Sequence, residues 1–280
     1  MIKFTNFSFK YDGATDLALE QINLNINKGD FTGIIGSSGA GKTSLTYAIN
    51  GVIPHFYKGD FYGEVLVSGL DTVNTQPEKL AKLIGSVFQD IDGQMVASIV
   101  EDEILFGLEN FGIDKAEILP RLENALETVG ISELRFRTIA SLSGGQKQKV
   151  AIAAIIALKP EVLLLDEPTG ELDPFSSRQI FEMLKILNEE YGITVIVVEQ
   201  KIMLLCEFVK NLIVLNEHKI VASGLTKEVL KQSNKLEEFG INMPRVATLA
   251  NILSEKGLYC GEIPTDLKSA KKMVEDILND

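Results

Sequence analysis

Apolar and polar residues alternate from Ile2 to Phe9 and again from Ile22 to Ile26, the period of strands with one buried face. A turn at Lys28-Gly29-Asp30 precedes an apolar run ending Gly33-Ile34-Ile35, after which the spacing becomes helical at Leu45, Ala48, Ile49 and Val52. Gly63 to Gly69 reads as a strand bounded by glycines, and Ile84 to Phe88 as a buried strand delivering Gln89 and Asp90. Between Met95 and Pro160 helical periods take over, as at Ile118, Leu122, Ala125, Leu126 and Val129, and Val150 to Leu158 is apolar on every side, the mark of a buried helix. Val162 to Leu165 and Thr194 to Val198 are dry runs that predict strands covered on both faces. Asp173-Pro174 opens a helix carrying Ile180, Leu184 and Leu187. Leu212–Leu215 and Ile220–Ala222 form a hairpin about Asn216–Lys219, and a short helix starts at Thr226. Past Phe239-Gly240 come two amphipathic helices, one with Val246, Leu249, Ala250 and Leu253, the other with Ala270, Met273, Val274, Ile277 and Leu278. The order predicts an α/β fold: a principal unit over 1–235 with a helical insertion at about 95–160, then a helical extension over 236–280.

Chemistry concentrates where the period changes. Gly36-Ser37-Ser38-Gly39-Ala40-Gly41-Lys42-Thr43-Ser44 joins a strand to a helix, the context in which G-x-x-x-x-G-K-[ST] cradles phosphate. Glycines let the backbone N–H groups curl toward an anion that also meets the positive end of the helix dipole. Lys42 is then placed for the β- and γ-phosphates and Thr43 for Mg²⁺. By chance alone the pattern should arise in roughly one chain of this size in a hundred, and less often between a strand and a helix. Asp166 and Glu167 end a dry strand, where open α/β sheets bind ligands; Asp166 suits a Mg²⁺ shell and Glu167 the polarisation of a water. Gln89 ends another strand, within reach of Mg²⁺ or that water, although an ordinary turn residue fits as well. The turn Leu142-Ser143-Gly144-Gly145-Gln146 opens a helix and is a second potential anion site; taken alone it reads as a plain helix cap. Tyr11 follows the first strand, where an aromatic face either packs or stacks on a base.

The charge changes the picture only by exclusion. The 280 residues carry a net charge of −12, and no Lys/Arg cluster is dense enough to neutralise a phosphate backbone, so nucleic acid is not an expected partner. Cys206 and Cys260 lack metal-ligand spacing and the density of a secreted scaffold. The start Met1-Ile2-Lys3-Phe4 has no signal-like region, and the longest apolar run, Val150 to Leu158, is too short to span a bilayer. A membrane role is therefore expected through a partner.

Together, Gly36–Ser44, Gln89, Leu142–Gln146, Val162–Glu167, Asp173 and the strand end at Gln200 resemble, in order and spacing, the ATP-binding subunits of ABC transporters, over about Ile2 to Lys231. Within that family Val87-Phe88-Gln89-Asp90-Ile91-Asp92-Gly93-Gln94 and the following Val100 to Asn110 resemble the ATPases of energy-coupling factor (ECF) transporters, and the segment from Phe239 is similar to their C-terminal extension. The resemblance implies a P-loop NTPase (RecA-like) core with an antiparallel β lobe and a helical signature subdomain. It implies ATP and Mg²⁺ as ligands and a head-to-tail ATPase dimer in which Ser143, Gly144, Gly145 and Gln146 complete the partner's site. It makes Tyr11 the adenine-stacking aromatic, Gln89 the link between Mg²⁺ and the membrane partner, Glu167 the general base and Asp173 a residue that communicates across the dimer. It further implies a transmembrane coupling subunit, gripped through the surface around Asp92-Gly93-Gln94, a separate substrate-binding membrane subunit, and residence at the cytoplasmic face of the membrane.

Two positions depart from the pattern. Gln200 stands where the family usually has histidine; glutamine donates a hydrogen bond but carries no proton or positive charge. This favours pairing with a second, different ATPase subunit and slower turnover at the composite site that holds Gln200. Gly93 stands where related chains often have asparagine. The alternative, a soluble ABC ATPase of DNA repair or translation, is disfavoured by a single phosphate loop, a single signature and no sustained heptads.

Overall fold

The apolar runs assemble into two sheets. A computed structural model describes residues 1–279. Its strands are β1 (Ile2–Tyr11), β2 (Leu19–Ile26), β3 (Phe31–Gly36), β4 (Gly59–Val67), β5 (Leu70–Asp71), β6 (Ile84–Val87), β7 (Val162–Asp166), β8 (Thr194–Val198), β9 (Asn211–Asn216) and β10 (Lys219–Leu225). The first sheet, in the order β2-β1-β4-β5, is antiparallel. The second runs β10-β9-β3-β8-β7-β6, parallel throughout except for the β9–β10 hairpin.

The dry runs have a simple cause. Along β7, Leu163 and Leu165 enter one apolar cluster while Val162 and Leu164 enter another. Along β8, Val195 and Val197 part from Ile196 and Val198 in the same way. Period-two alternation therefore persists, but each face meets its own core, so the runs are apolar on both faces apart from Thr194 at the start of β8, whose hydroxyl accepts from the Gly29 N–H. The cluster on the antiparallel side includes Phe7, Phe9 and Leu45 and takes in the first helices; the opposite cluster takes in most of the later ones.

Those helices are α1 (Lys42–Asn50), α2 (Val52–His55), α3 (Pro77–Ala81), α4 (Ile91–Gln94), α5 (Val100–Asn110), α6 (Lys115–Val129), α7 (Gly144–Ile156), α8 (Pro174–Glu189), α9 (Ile202–Phe208), α10 (Thr226–Leu230), α11 (Ser233–Glu238), α12 (Arg245–Glu255) and α13 (Leu267–Asn279). Helices α5, α6 and α7 pack on one another and fill the expected insertion. Within the stretch Val150 to Leu158 no residue is exposed, as its all-round apolar pattern requires. Ile241, Met243, Ala247, Ala250 and Met273 of the extension join the same cluster as β7 and α7.

Three boundaries differ from the sequence reading. β1 runs on to Tyr11, and β2 begins at Leu19. Gly63 does not bound a strand but lies inside β4, at φ 79°, opposite a register shift between Thr5 and Ser8 of β1. A Cβ there would stand 2.3 Å from the Asn6 carbonyl oxygen. The glycine thus marks a bulge and close backbone approach, not a strand end.

Candidate active site

β3 ends at Gly36 and α1 begins at Lys42, so the glycine loop spans the gap between sheet and helix. Gly41, at φ 99°, is the α1 cap position; a Cβ there would lie 2.4 Å from the Ala18 carbonyl oxygen, which leaves only glycine. Because Gly41 carries no capping side chain, the first N–H groups of α1 keep no side-chain partner from that position. Lys42 folds back, donating to the carbonyls of Gly36 (3.0 Å) and Ser37 (2.9 Å). Its half-burial pulls the ammonium pKa below the usual lysine range, against the opposing charges of Glu167 and Asp166.

Opposite the loop, β7 ends in the two carboxylates. Successive residues of a strand face opposite ways, which would separate them. Instead Glu167 takes φ 50°, and both Asp166 and Glu167 border one 940 Å³ cavity with Thr43, Gln89 and Gln200. A left-handed backbone at a non-glycine residue costs about 1–3 kcal/mol, and the Glu167 N–H to Val198 carbonyl hydrogen bond, 2.9 Å, holds it. Burial pushes the Asp166 pKa up, with the neighbouring Thr43 hydroxyl opposing and Glu167 adding to the rise.

The carboxylate of Glu167 is bracketed by two carboxamides: Gln200 Nε2 donates to Oε1 at 2.7 Å and Gln89 Nε2 to Oε2 at 3.2 Å. The three residues come from the ends of three parallel strands, β7, β8 and β6. Six predicted residues, Lys42, Thr43, Gln89, Asp166, Glu167 and Gln200, are thereby gathered. Tyr11 sits at the other side of the loop, its hydroxyl 3.0 Å from Ser44 Oγ and its ring edge-on to Phe9 and Tyr57.

The Ser-Gly-Gly turn meets the site only at one edge: Gly144 borders the 940 Å³ cavity, while Ser143, Gly145 and Gln146 do not. Ser143 Oγ accepts from the Gln146 N–H (3.3 Å), and Gln146 Oε1 accepts from the Ser143 N–H (3.0 Å), a complete capping box on α7. Ser143 and Gly144 are exposed. Ser143, Gly145 and Gln146 do not border the cavity that contains Lys42 and the loop glycines. Asp173 caps α8, accepting from the N–H groups of Phe175 (2.9 Å) and Ser176 (3.0 Å) and from Ser176 Oγ (2.5 Å). These bonds, Ser176 foremost, hold its carboxyl below the usual range.

Two residues of the site escaped the sequence reading. Glu199, 2 % exposed, accepts from Thr169 N–H (2.9 Å) and Oγ1 (2.5 Å) with one oxygen, and from Gln200 N–H (3.0 Å) with the other. Lys201 Nζ donates to the Thr169 and Leu172 carbonyls (2.5 and 2.7 Å) and to Ser177 Oγ (3.0 Å). Together they fasten the loop between Glu167 and Asp173 to the strand end that bears Gln200. The available signal was a pair of opposite charges closing a dry strand, where a buried charge must have partners.

The glycine loop, the strand-end carboxylates and the sheet order define the class: a nucleotide-binding P-loop ATPase. The family model described as ABC transporter matches residues 19–170. The chain is 40% identical over 281 residues, 99% of its length and 98% of the relative's, to the energy-coupling factor transporter ATP-binding protein EcfA1 of Caldanaerobacter subterraneus subsp. tengcongensis. Among solved structures, cbiO1 from Clostridium perfringens, described as part of the ABC transporter complex cbiONQ, superposes with TM-score 0.76 at 33% identity, covering 89% of this chain and 97% of that one. The cassette MJ0796, solved as a dimer in a post-hydrolysis state with ADP and Pi, superposes with TM-score 0.69 at 29% identity, covering 81% and 99%. The chain belongs to the ATP-binding proteins of the ABC transporter family, and it is an ATPase of that family.

Proposed function

We propose that this chain is the ATP-hydrolysing subunit of an ECF-type importer, driving uptake of a small micronutrient, a vitamin or metal ion, through separate membrane subunits. The observation that carries the reading is the Glu167 carboxylate held between Gln89 and Gln200 beside the glycine loop. Lys42 exchanges its two loop carbonyls for the β- and γ-phosphates, while the loop N–H groups from Gly36 to Ser44, Ser37, Ser38, Gly39 and Ala40 among them, wrap the same oxygens. The adenine stacks on Tyr11. Glu167 takes a proton from a water whose oxygen forms the new bond to the γ-phosphorus; the bridging oxygen leaves with ADP. Gln89 and Gln200 orient the carboxylate and the water.

The hydroxyl of Thr43, the carboxylate of Asp166 and the amide oxygen of Gln89 are hard oxygen donors, the set Mg²⁺ takes alongside phosphate and water. Burial of Asp166 beside Glu167 leaves negative charge there short of a counterion, as a cation site requires. Held by these residues, Mg²⁺ would supply counter-charge to the phosphates.

Ser143, Gly144, Gly145 and Gln146 serve a second ATPase subunit, with Asp173 reaching across the same junction; a different ATPase is the favoured partner because of Gln200. The transmembrane coupling subunit docks about α4. There Asp90 caps Gly93, Gln94 ties back to Phe88 and Ser86, and Lys147 grips Asp92 at 2.7 Å. Exposed Phe56, Phe88, Val96 and Phe106 supply apolar area for that docking. A Cβ at Gly93 would stand 2.4 Å from Asp90 Oδ2, so the cap here rests on the glycine. The extension, 236–280, serves the assembly as a helical addition packed on the same apolar cluster as β7 and α7. Among the described residues no helix is long and apolar enough to cross a membrane; the likeness to transporter ATP-binding subunits supports a peripheral place at the cytoplasmic face.

The test is copurification from detergent-solubilised source membranes. The expected result is an integral membrane subunit, a second ATPase, and ATP-driven vitamin or metal-ion uptake by the reconstituted complex. Recovery of ribosomes or DNA in their place overturns the reading.

A further inference from the structure

A second cavity, of 460 Å³, is bordered by Lys42, Thr43, Glu167 and Gln200, and also by Gly240, Ile241 and Asn242 of the C-terminal extension. The chain thus returns to the phosphate loop some two hundred residues after leaving it. The approach is anchored. Gly240, at φ 71°, ends the turn after α11, with its N–H on the Glu237 carbonyl (2.9 Å) and that of Ile241 on the Leu236 carbonyl (3.3 Å). Ile241 and Met243 are 3 % and 8 % exposed, embedded in the large apolar cluster. Asn242 stands exposed between them, so its direction is set by two fixed neighbours.

Near it, Thr248 pairs with Glu237 (2.9 Å) and the buried Asn251 with the Leu230 carbonyl (2.9 Å). Among the described residues Asn242 has no such partner. Lys42 is the single cation among the residues bordering this cavity, against the acids Glu167 and Glu199. An anionic ligand there gains from any further donor, and a carboxamide offers two N–H groups without adding charge.

We infer that the start of the C-terminal extension is part of the nucleotide site, with Asn242 a substrate-binding residue that donates to the terminal phosphate of the bound triphosphate. The inference rests on the ATPase reading above. It places Asn242 at the same end of the ligand as Gln200, and it makes the extension responsive to the number of phosphates bound.

The experiment titrates the full chain, with Mg²⁺ present, with ADP and with the β,γ-imido analogue of ATP, using wild type, Asn242→Ala, Asn242→Asp and Lys42→Ala. Asn242→Ala is expected to weaken the triphosphate analogue about tenfold, the worth of one hydrogen bond to a charged group, and to leave ADP unchanged. Asn242→Asp weakens the analogue further through like-charge repulsion. The inference is overturned if both variants bind the analogue as wild type does. It is equally overturned if ADP and analogue weaken in parallel, the sign of a merely structural role. Failure of the underlying reading looks different: wild type then binds the analogue no better than Lys42→Ala, which removes the phosphate site and the inference with it.

Discussion

Two turns in this molecule open a helix with glycines and polar hydroxyls, and they are built to opposite ends. At Gly41 the helix start lacks a capping side chain, and Lys42, bent onto Gly36 and Ser37, is the group nearest to filling the loop. At Ser143 the helix start is satisfied within the chain, Ser143 and Gln146 exchanging two hydrogen bonds. A helix whose first N–H groups lack a capping partner awaits an anion; one closed by its own cap stays formed, exposed and ready for another surface. The first turn needs the ligand to be complete; the second does not.

The largest effects should separate the two turns. Lys42→Ala and Gly145→Leu are both expected to lower steady-state hydrolysis by about a hundredfold or more, the scale for losing a transition-state charge contact. Only Lys42→Ala should abolish ATP binding by the isolated chain, measured by equilibrium titration. Gly145→Leu should bind ATP normally, because its defect falls on the partner's nucleotide. If Gly145→Leu loses ATP binding in the isolated chain while its melting temperature is unchanged, the two turns serve one site and the comparison fails.

Gln200 offers a smaller effect on the same axis. Its amide already donates to Glu167 at 2.7 Å, but it brings no positive charge to the γ-phosphate. Gln200→His should raise the single-turnover rate about tenfold, short of the roughly 10²–10⁴-fold of a positioned proton-transferring group because the glutamine already supplies the hydrogen bond. Equal rates would show that the hydrogen bond alone suffices.

Much of this was legible in the sequence because it is local. The phosphate loop is nine consecutive residues, and Asp166-Glu167 follow the driest run of the chain; both are readable because close-packed backbone and two-faced burial leave few residue choices. Gly63 was misread because a glycine at a strand end and one at a bulge look alike until the register of β1 is known. The clamp of Glu199 and Lys201 on Thr169 and Leu172 spans about thirty residues of chain, and Asn242 comes to border the loop's cavity only through the packing of Ile241 and Met243. Such pairs have no period or motif, because tertiary packing alone brings them together.

The stability of the free protein sharpens the contrast in finer steps. Ser143→Ala removes a satisfied cap and should cost about 1 kcal/mol at any pH near neutrality, measured by urea denaturation. An effect below about 0.3 kcal/mol would show that the capping box is not what holds the turn.

Asp166→Asn should act in the opposite direction. Burial raises the Asp166 pKa above its ordinary value of 3.8, so the folded chain holds that proton more tightly than the unfolded chain does. The stabilisation this supplies is full below the ordinary value and is lost as pH rises through the raised one, which leaves the protein at neutral pH carrying a buried charge that Thr43 and Lys42 offset only in part. Asparagine escapes that penalty. Without nucleotide, Asp166→Asn should therefore melt about 2–4 °C above wild type at pH 7, the shift expected for about 1 kcal/mol in a chain of this size. The gap should close as pH falls toward the ordinary aspartate value, where wild type too is neutral at this position. Added Mg²⁺ and ATP should reverse the order at pH 7, since wild type regains through the ligand what it lacks alone. A variant that melts below wild type at pH 7 without ligand would mean that Asp166 is already well compensated by Thr43 and Lys42, and that the phosphate-loop side is as complete by itself as the Ser143 turn.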